Sequence, residues 1–340
     1  MIKKNLKPKI ISLFSGAGGL DMGFKNAGFK TIWANEYDKT ITPTFLKNFP
    51  QVTLNINSIT KITDDEILAI GDGNDVAGVI GGPPCQSWSE AGAKRGIDDH
   101  RGQLFHDYIR FIRLLKPKFF VAENVHGLIH SRNKESFEKI KNLFRKEGYI
   151  VDAKLLLASD FDVPQDRERV FIIGYHEDLR VNVTFPDRLM DVDKGYIKKT
   201  LSDAIRRFSR YKIGSKKLLN HDLSSDLTFS PIYMSRNRVR EWNDQSFTIL
   251  ATDRHVPIHP SAPRMEKIGV DKMRFKLGEE GKYRRMTVRE CAAIQTFPDD
   301  FELIYTNVRH GYKMIGNAVP VKLAEHVAKN IVKDLKKYLT

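Results

Sequence analysis

Ile11-Ser-Leu-Phe-Ser-Gly-Ala-Gly-Gly-Leu20 runs an apolar strand into a glycine turn and on into a helix. Glu36 follows Gly16 by 20 residues and closes a second apolar run, Thr31–Asn35. A carboxylate at that place can accept hydrogen bonds from ribose hydroxyls. Many strand-to-helix turns need glycine, so the loop alone says little; strand, turn, helix and distant Glu together point to a nucleoside-binding α/β unit. Outward from it, strand-like runs recur at Ile10–Phe14, Val76–Ile80, Phe119–Ala122, Lys154–Leu157 and Val170–Ile173. Between them Leu20–Ala27, Lys39–Phe49, Leu104–Leu115 and Glu135–Glu147 read as helices, the last closed by Gly148. The alternation predicts an α/β fold, a Rossmann-like and mainly parallel sheet with helices on both faces. From about residue 180 it dissolves into Gly-, Pro- and Ser-punctuated pieces, until Val321–Leu335 reads as an amphipathic helix able to return to the first domain.

In a dinucleotide register Gly16 and Gly18 are followed by Asp21 at the third place. A carboxylate in the first helical turn repels a pyrophosphate bound there. S-adenosylmethionine, with a ribose, an amino group and a sulfonium but no phosphate, avoids that conflict and fits better than NAD.

The 340 residues, 41% hydrophobic and 29% charged, are those of a globular chain able to bury one large core and a smaller one. Two cysteines exclude a disulfide scaffold, and no apolar run nears the roughly 18 residues of a membrane helix. A reducing cytosol is the expected compartment. Lys and Arg number 56 against 42 Asp and Glu, for a formal charge of +14. Residues 194–290 hold 22 basic and 11 acidic residues and so supply +11 of it. The pattern is a near-neutral body with a basic appendage, which suits a polyanionic partner.

Val79-Ile-Gly-Gly-Pro-Pro-Cys-Gln-Ser-Trp88 puts Cys85 just past a buried-looking strand, on a platform stiffened by Pro83 and Pro84. The carboxyl end of the sheet is where open α/β folds bind ligands, so Cys85 is read as a nucleophile rather than a small buried hydrophobe. A zinc deaminase would need a second cysteine three residues on, where Trp88 stands, and no metal is expected. Cys291 falls at an apolar helical position and reads as core. Phe119-Phe-Val-Ala-Glu-Asn-Val125 is another strand ending in a carboxylate; burial favours the protonated form of Glu123, able to donate to a heterocycle nitrogen. In Gln165-Asp-Arg-Glu-Arg-Val170 the two-residue period of an extended chain puts Arg167 and Arg169 on one side. They either orient the carboxylate and a base carbonyl or are surface charges.

In this order the pieces resemble the DNA cytosine-5 methyltransferases. Phe14-Ser-Gly-Ala-Gly-Gly19, Gly82-Pro-Pro-Cys-Gln86, Glu123-Asn-Val125, Gln165-Asp-Arg-Glu-Arg169, Arg289-Glu-Cys291 and Gly316-Asn-Ala-Val-Pro320 are similar to that family's ordered motifs and span nearly the whole chain. Met234-Ser-Arg-Asn-Arg-Val-Arg240 and His259-Pro-Ser-Ala-Pro263 look most like bacterial restriction-modification methylases of GGCC-like sites. The resemblance implies a catalytic domain over 1–185 and 312–340, and a small, irregular, mostly β target-recognition domain with its hinge over 186–311. It implies S-adenosylmethionine bound by Phe14, Ser15, Gly16, Ala17, Gly18, Gly19, Glu36, Tyr37, Ser58, Ile59, Pro84, Leu104, Asn317, Ala318 and Val319. At Asn57-Ser58-Ile59 the family usually has Asp; Ser58 still accepts a hydrogen bond, without charge assistance.

The family chemistry implies that Cys85 adds to C6 of a flipped-out cytosine while Glu123, Arg167 and Arg169 complete the catalytic set. Ser87–Gly102, rich in Gly and Ser, has the composition of a loop able to close over the base. Double-stranded DNA is the implied partner, contacted by Gln86, Ser87, Ser89, Arg101, Arg236, Arg238, Arg240, Arg254 and His255; an arginine can grip guanine bidentately or merely touch phosphate. A monomer in the bacterial cytoplasm, near the nucleoid, is expected, with a cognate endonuclease as possible companion. Three alternatives remain at this level: an NAD-dependent oxidoreductase, a non-catalytic DNA-binding relative, and a tRNA cytosine methyltransferase. The last is disfavoured because Ser246-Phe-Thr248 stands in place of that subgroup's Cys-Phe-Thr.

Overall fold

The computed structural model describes residues 7–84, 103–223 and 229–339. Cys85, Gln86, Ser87, Ser89, Arg101 and the rest of the Ser87–Gly102 loop lie outside the described residues. The first part of the chain forms β1 (Lys9–Leu13), α1 (Gly19–Asn26), β2 (Lys30–Asn35), α2 (Thr42–Asn48), β3 (Thr53–Asn55), α3 (Asp64–Gly71) and β4 (Val76–Gly81). Next come α4 (Gln103–Leu115), β5 (Phe119–Val125), α5 (Lys134–Lys146), β6 (Tyr149–Leu157), β7 (Gln165–Asp166) and β8 (Glu168–His176). The remainder carries short pieces, α6 (Leu189–Val192), α7 (Leu201–Ile205), β9 (Ser246–Phe247), β10 (Glu266–Gly269) and β11 (Lys272–Arg274), then α8 (Val288–Ile294), α9 (Val308–Asn317) and α10 (Val321–Asp334).

Seven strands make one sheet in the order β3-β2-β1-β4-β5-β8-β6. It is parallel up to β5, and β8 runs antiparallel to both of its neighbours. Strand period decides which helix covers which face. Ile11, Leu13, Val79 and Phe120 point to a cluster with Ile67 of α3, Tyr108 and Ile112 of α4, and Ile140 and Phe144 of α5. Ile10, Ile80, Phe119 and Val121 point the other way, onto Leu20 and Phe24 of α1 and Leu323, Val327 and Ile331 of α10. Phe105, Tyr108, Ile109 and Ile112 give α4 its buried stripe at helical spacing. Leu13 is in register with Asn35 of β2 and with Gly81 of β4, and Gly81 with Ala122 of β5. The loops after these strands therefore leave the sheet at one edge.

Residues 186–311 contribute to two separate cores. Leu201, Ile205 and Phe208, together with Val288, Cys291, Phe297 and Phe301, pack with Ala17, Phe45 and Phe49 of the large body. The separate small core is narrower: Tyr233, Val239, Ile258, Ala262, Met265 and Tyr283, with Phe229, Met273 and Phe275 against it. A two-strand hairpin (β10, β11) and isolated bridges are its only strands among the described residues, apart from the β9 pairing to β7. No helix among the described residues is long and apolar enough to cross a membrane.

Candidate active site

The edge where β1, β2, β4 and β5 end opens into a cavity of about 710 Å³. Phe14, Ser15, Gly16, Ala17 and Gly19 line it from the first loop, Glu36, Tyr37 and Asp38 from the second, and Ser58, Ile59 and Thr60 from the turn after β3. Pro83, Pro84, Leu104, Glu123, Asn124, Arg169, Lys313, Asn317, Ala318 and Val319 complete the wall. Each cofactor residue expected from sequence is there except Gly18. Gly18 sits at φ 88°, before the first residue of α1, and a Cβ on it would meet the Phe49 ring at 2.3 Å. Its task is the turn, not the pocket. Gly19 explains how the distant Asn317–Val319 segment arrives: a Cβ there would stand 2.3 Å from the Val319 carbonyl oxygen, so only glycine lets the two backbones touch.

Glu36 accepts from the Gly16 amide at 3.0 Å and from the Asp38 amide at 2.8 Å, which clamps the first two loops together. Burial nevertheless raises its pKa. Asn35 donates to the carbonyls of Asn55 and Asn57 and so fixes the turn that presents Ser58, whose hydroxyl lies 2.9 Å from that of Thr60. Tyr37 leaves its ring 66% exposed beside this end of the cavity. The two cations of the described wall are already committed, Lys313 to Asp38 at 2.5 Å and Arg169 to Glu123 at 2.8 Å. Neither is left for a phosphate, so the wall suits a nucleoside with an apolar or cationic tail. Asp21 does not contribute to that preference. It is fully buried, held by the hydroxyls of Ser12 and Thr31 at 2.9 and 3.1 Å, and points away into the interior. The repulsion expected from its charge is replaced by the pairing of the wall's cations.

Glu123 is the buried acid at the other end. Its Oε1 pairs with Arg169 Nε at 2.8 Å. Burial pushes the Glu123 pKa up, against the pull of Arg169 and then Arg167. The neighbouring Asn124 donates to the Pro83 carbonyl at 2.9 Å, pinning the Pro83–Pro84 platform beside this carboxyl.

The C-5 cytosine-specific DNA methylase family matches residues 8–333. This chain belongs to that family. Type II methyltransferase M.NgoPII of Neisseria gonorrhoeae is 48% identical over 335 residues, 97% of this chain and 96% of that protein. Type II methyltransferase M.FnuDI of Fusobacterium nucleatum is 47% identical, with 96% and 95% covered. The solved structure of the Entamoeba histolytica methyltransferase EhMeth overlays with a TM-score of 0.71 at 15% identity, covering 97% of this chain and 99% of that one, and shares the fold.

In this DNA cytosine-5 methylase the two arginines expected side by side diverge. Arg169 faces Glu123, as above. Arg167 is fully buried and donates to the carbonyls of Ile249, Gly316 and Ala318 at 2.9, 2.8 and 3.1 Å. The extended period is broken there, because Arg167 sits between β7 and β8 and its amide turns back on the Gln165 carbonyl. Its contacts make it a positioning residue: it ties the chain at Ile249 to the turn that lines the cavity. Gln165 and Gln295 complete that junction, bonded to each other at 3.1 Å and to Ile249 N and the Ile315 carbonyl.

The methylase's four candidate reading arginines also divide. Arg238 donates to the carbonyls of Tyr233 and Ile232 and lies 4.7 Å over the Tyr233 ring. Arg240 pairs with Asp166 at 3.2 Å and covers the Phe247 ring. Both already have partners within the protein. Arg236 and Arg254 are exposed, and half-buried His255 stacks near Tyr233. Cys291 is buried, with its thiol pKa pushed up by desolvation. Sequence reasoning missed Asp38, Thr60, Asn124 and Lys313. Asp38 and Asn124 each follow an expected residue directly, and Lys313 falls four before Asn317, one helical turn away.

Proposed function

We propose that this DNA cytosine-5 methylase transfers a methyl group from S-adenosylmethionine to C5 of a flipped-out cytosine in a short G/C-rich duplex site, GGCC, through a Cys85–C6 bond. The observation that carries this is Glu123: a buried carboxyl at the end of a nucleoside-sized cavity, paired with Arg169 at 2.8 Å and followed by Asn124, which bonds to the Pro83–Pro84 platform. Burial raises the pKa of Glu123 and so favours the protonated form, which can donate to the cytosine ring at N3. Glu36, the Ser58 hydroxyl and the Tyr37 ring would hold the ribose and adenine, and Asn317 to Val319 the remainder. When bound, S-adenosylmethionine supplies an electrophilic methyl on a sulfonium. The Cys85 thiolate adds to C6, which makes C5 nucleophilic while Glu123 neutralises the ring. After C5 is methylated, loss of its proton expels Cys85 and restores the aromatic ring. C6 is unreachable inside a stacked duplex, so the base must leave the helix first.

The two relatives named above are type II methyltransferases, which supports a place in a restriction-modification pair, as a monomer protecting the sites of a cognate endonuclease. Incubation with S-adenosylmethionine and duplex DNA, followed by bisulfite sequencing with a tRNA control, tests the reading. Methylated cytosine should appear in DNA at one short motif and not in tRNA. Cys85→Ala should abolish turnover and still bind the duplex; methylation by that variant would refute the nucleophile.

A further inference from the structure

Two parts of the molecule meet on one stripe of α9. Arg309, Lys313 and Gly316 recur at i, i+4 and i+7, the spacing of a single helix face. Arg309 Nε contacts Asp253 Oδ2 at 3.0 Å. Asp253 is buried and opens the short turn Asp253–His255, which carries the exposed Arg254. Gly316 backs onto the same stretch of chain: a Cβ there would stand 2.3–2.4 Å from the backbone of Leu250 and Ala251. Arg167 adds a bond to each side of that contact. Between them, Lys313 reaches Asp38, whose amide holds Glu36 at 2.8 Å, and Met314 and Asn317 line the cavity. The helix is thus pinned to the recognition segment at both ends and to the cofactor wall in the middle.

We propose that α9 is the strut through which the filled cofactor pocket and the turn Asp253–His255 set each other's geometry, with Arg309 and Lys313 as its positioning residues. The proposal rests on the functional reading above. A helix held at both places moves as one body, so a nucleoside that fixes the pocket wall also restricts the segment bearing Arg254. Duplex binding then meets a segment already ordered. Such coupling is reciprocal: each ligand raises affinity for the other by the same factor.

The test uses the full chain and a duplex that the wild-type protein methylates. Its dissociation constant is measured with and without S-adenosylhomocysteine. In the wild type the nucleoside should tighten duplex binding on the order of tenfold, within the usual range of such couplings. Arg309→Met should cut that gain to about threefold or less, while its affinity for the nucleoside without DNA stays within about twofold. Arg309→Lys, which keeps the charge, should restore most of the gain. If Arg309→Met fails to fold, Lys313→Met serves in its place at nucleoside concentrations that saturate it, because Lys313 lines the pocket; the gain should be lost there too. A wild type without any gain, or variants that keep it in full, overturns the strut. A wild type that methylates no duplex brings down the functional reading itself, and the strut with it.

Discussion

Asp21 shows what a buried charge costs and what a hydroxyl pair returns. Desolvation raises its pKa from 3.8 to about 6, although Ser12 and Thr31 both donate to it. Between those two values the folded chain holds a proton that the unfolded chain has lost. Stability contributed by the neutral acid is therefore full below pH 3.8 and declines until about pH 6, after which it is level. Asparagine has the same shape and cannot ionise. The stability of Asp21→Asn relative to wild type should accordingly grow between pH 4 and pH 7 by on the order of 2–3 kcal/mol, with each pKa unit worth about 1.4 kcal/mol. Urea unfolding of both proteins at the two pH values measures it; a pH-independent difference would contradict the buried-acid account. Glu123 is raised by the same cause, against the pull of Arg169 and Arg167 rather than of hydroxyls.

Elements carry the site because glycine and arginine bring them close. β1 and α1 hand the first loop to the cavity, and the close approach at Gly19 brings in the chain just after α9. Arg167 then locks that arrangement, a guanidinium with three carbonyl acceptors and no solvent exposure. Arg167→Met would leave those carbonyls without their donor, and removing one side of a buried charged network typically costs about 3–5 kcal/mol. Lysine, a point charge without the fork, should recover little of it. Thermal or urea unfolding gives the cost, and a loss under about 1 kcal/mol would mean that the junction is held by its packing. The long strands β6 and β8 exceed the apolar runs that signalled them, since β6 carries the exposed Asp152 and Lys154 in its middle. α3 was legible in principle: Thr63-Asp-Asp-Glu66 is a capping box, with the Thr63 hydroxyl accepting from the Glu66 amide and Glu66 reaching back.

The charge of the whole molecule is divided much as the chain divides it, with +11 of +14 in residues 194–290. Its arginines are not equivalent, however. Arg284 is locked onto Glu290, Arg207 onto Asp299, and Arg238 and Arg240 onto the protein's own carbonyls, rings and Asp166. Of the four candidate reading arginines, Arg236 and Arg254 are the exposed ones. Replacing either with Ala should lower preference for the methylated motif over a scrambled duplex by about 1–3 kcal/mol if it grips a base. A contact to phosphate alone would instead weaken both duplexes equally and flatten the salt dependence. Competition binding at two salt concentrations separates these outcomes. The hydrophobic cluster that joins Phe45 and Phe49 to Phe297 and Phe301 ties the segments flanking the small core to the catalytic body. The basic module is therefore anchored at its base rather than hung on a linker.

Much of this was legible along the chain. Strand, glycine turn and helix follow from backbone preferences that act over a few residues, and they foretold the parallel sheet and the loop edge. The motifs around Glu36, Pro84 and Glu123 could be assigned to one cavity because consecutive parallel strands must end on the same side. Side-chain direction and long-range partners were not legible. Whether Asp21 faces the ligand or the core, whether Arg167 meets a substrate or three carbonyls, and which arginines remain exposed depend on neighbours up to 151 residues away. Such contacts are set by packing, which has no local pattern to read. The same holds for α9, whose stripe of Arg309, Lys313 and Gly316 acquires meaning only when Asp253, Asp38 and Leu250 fold up against it.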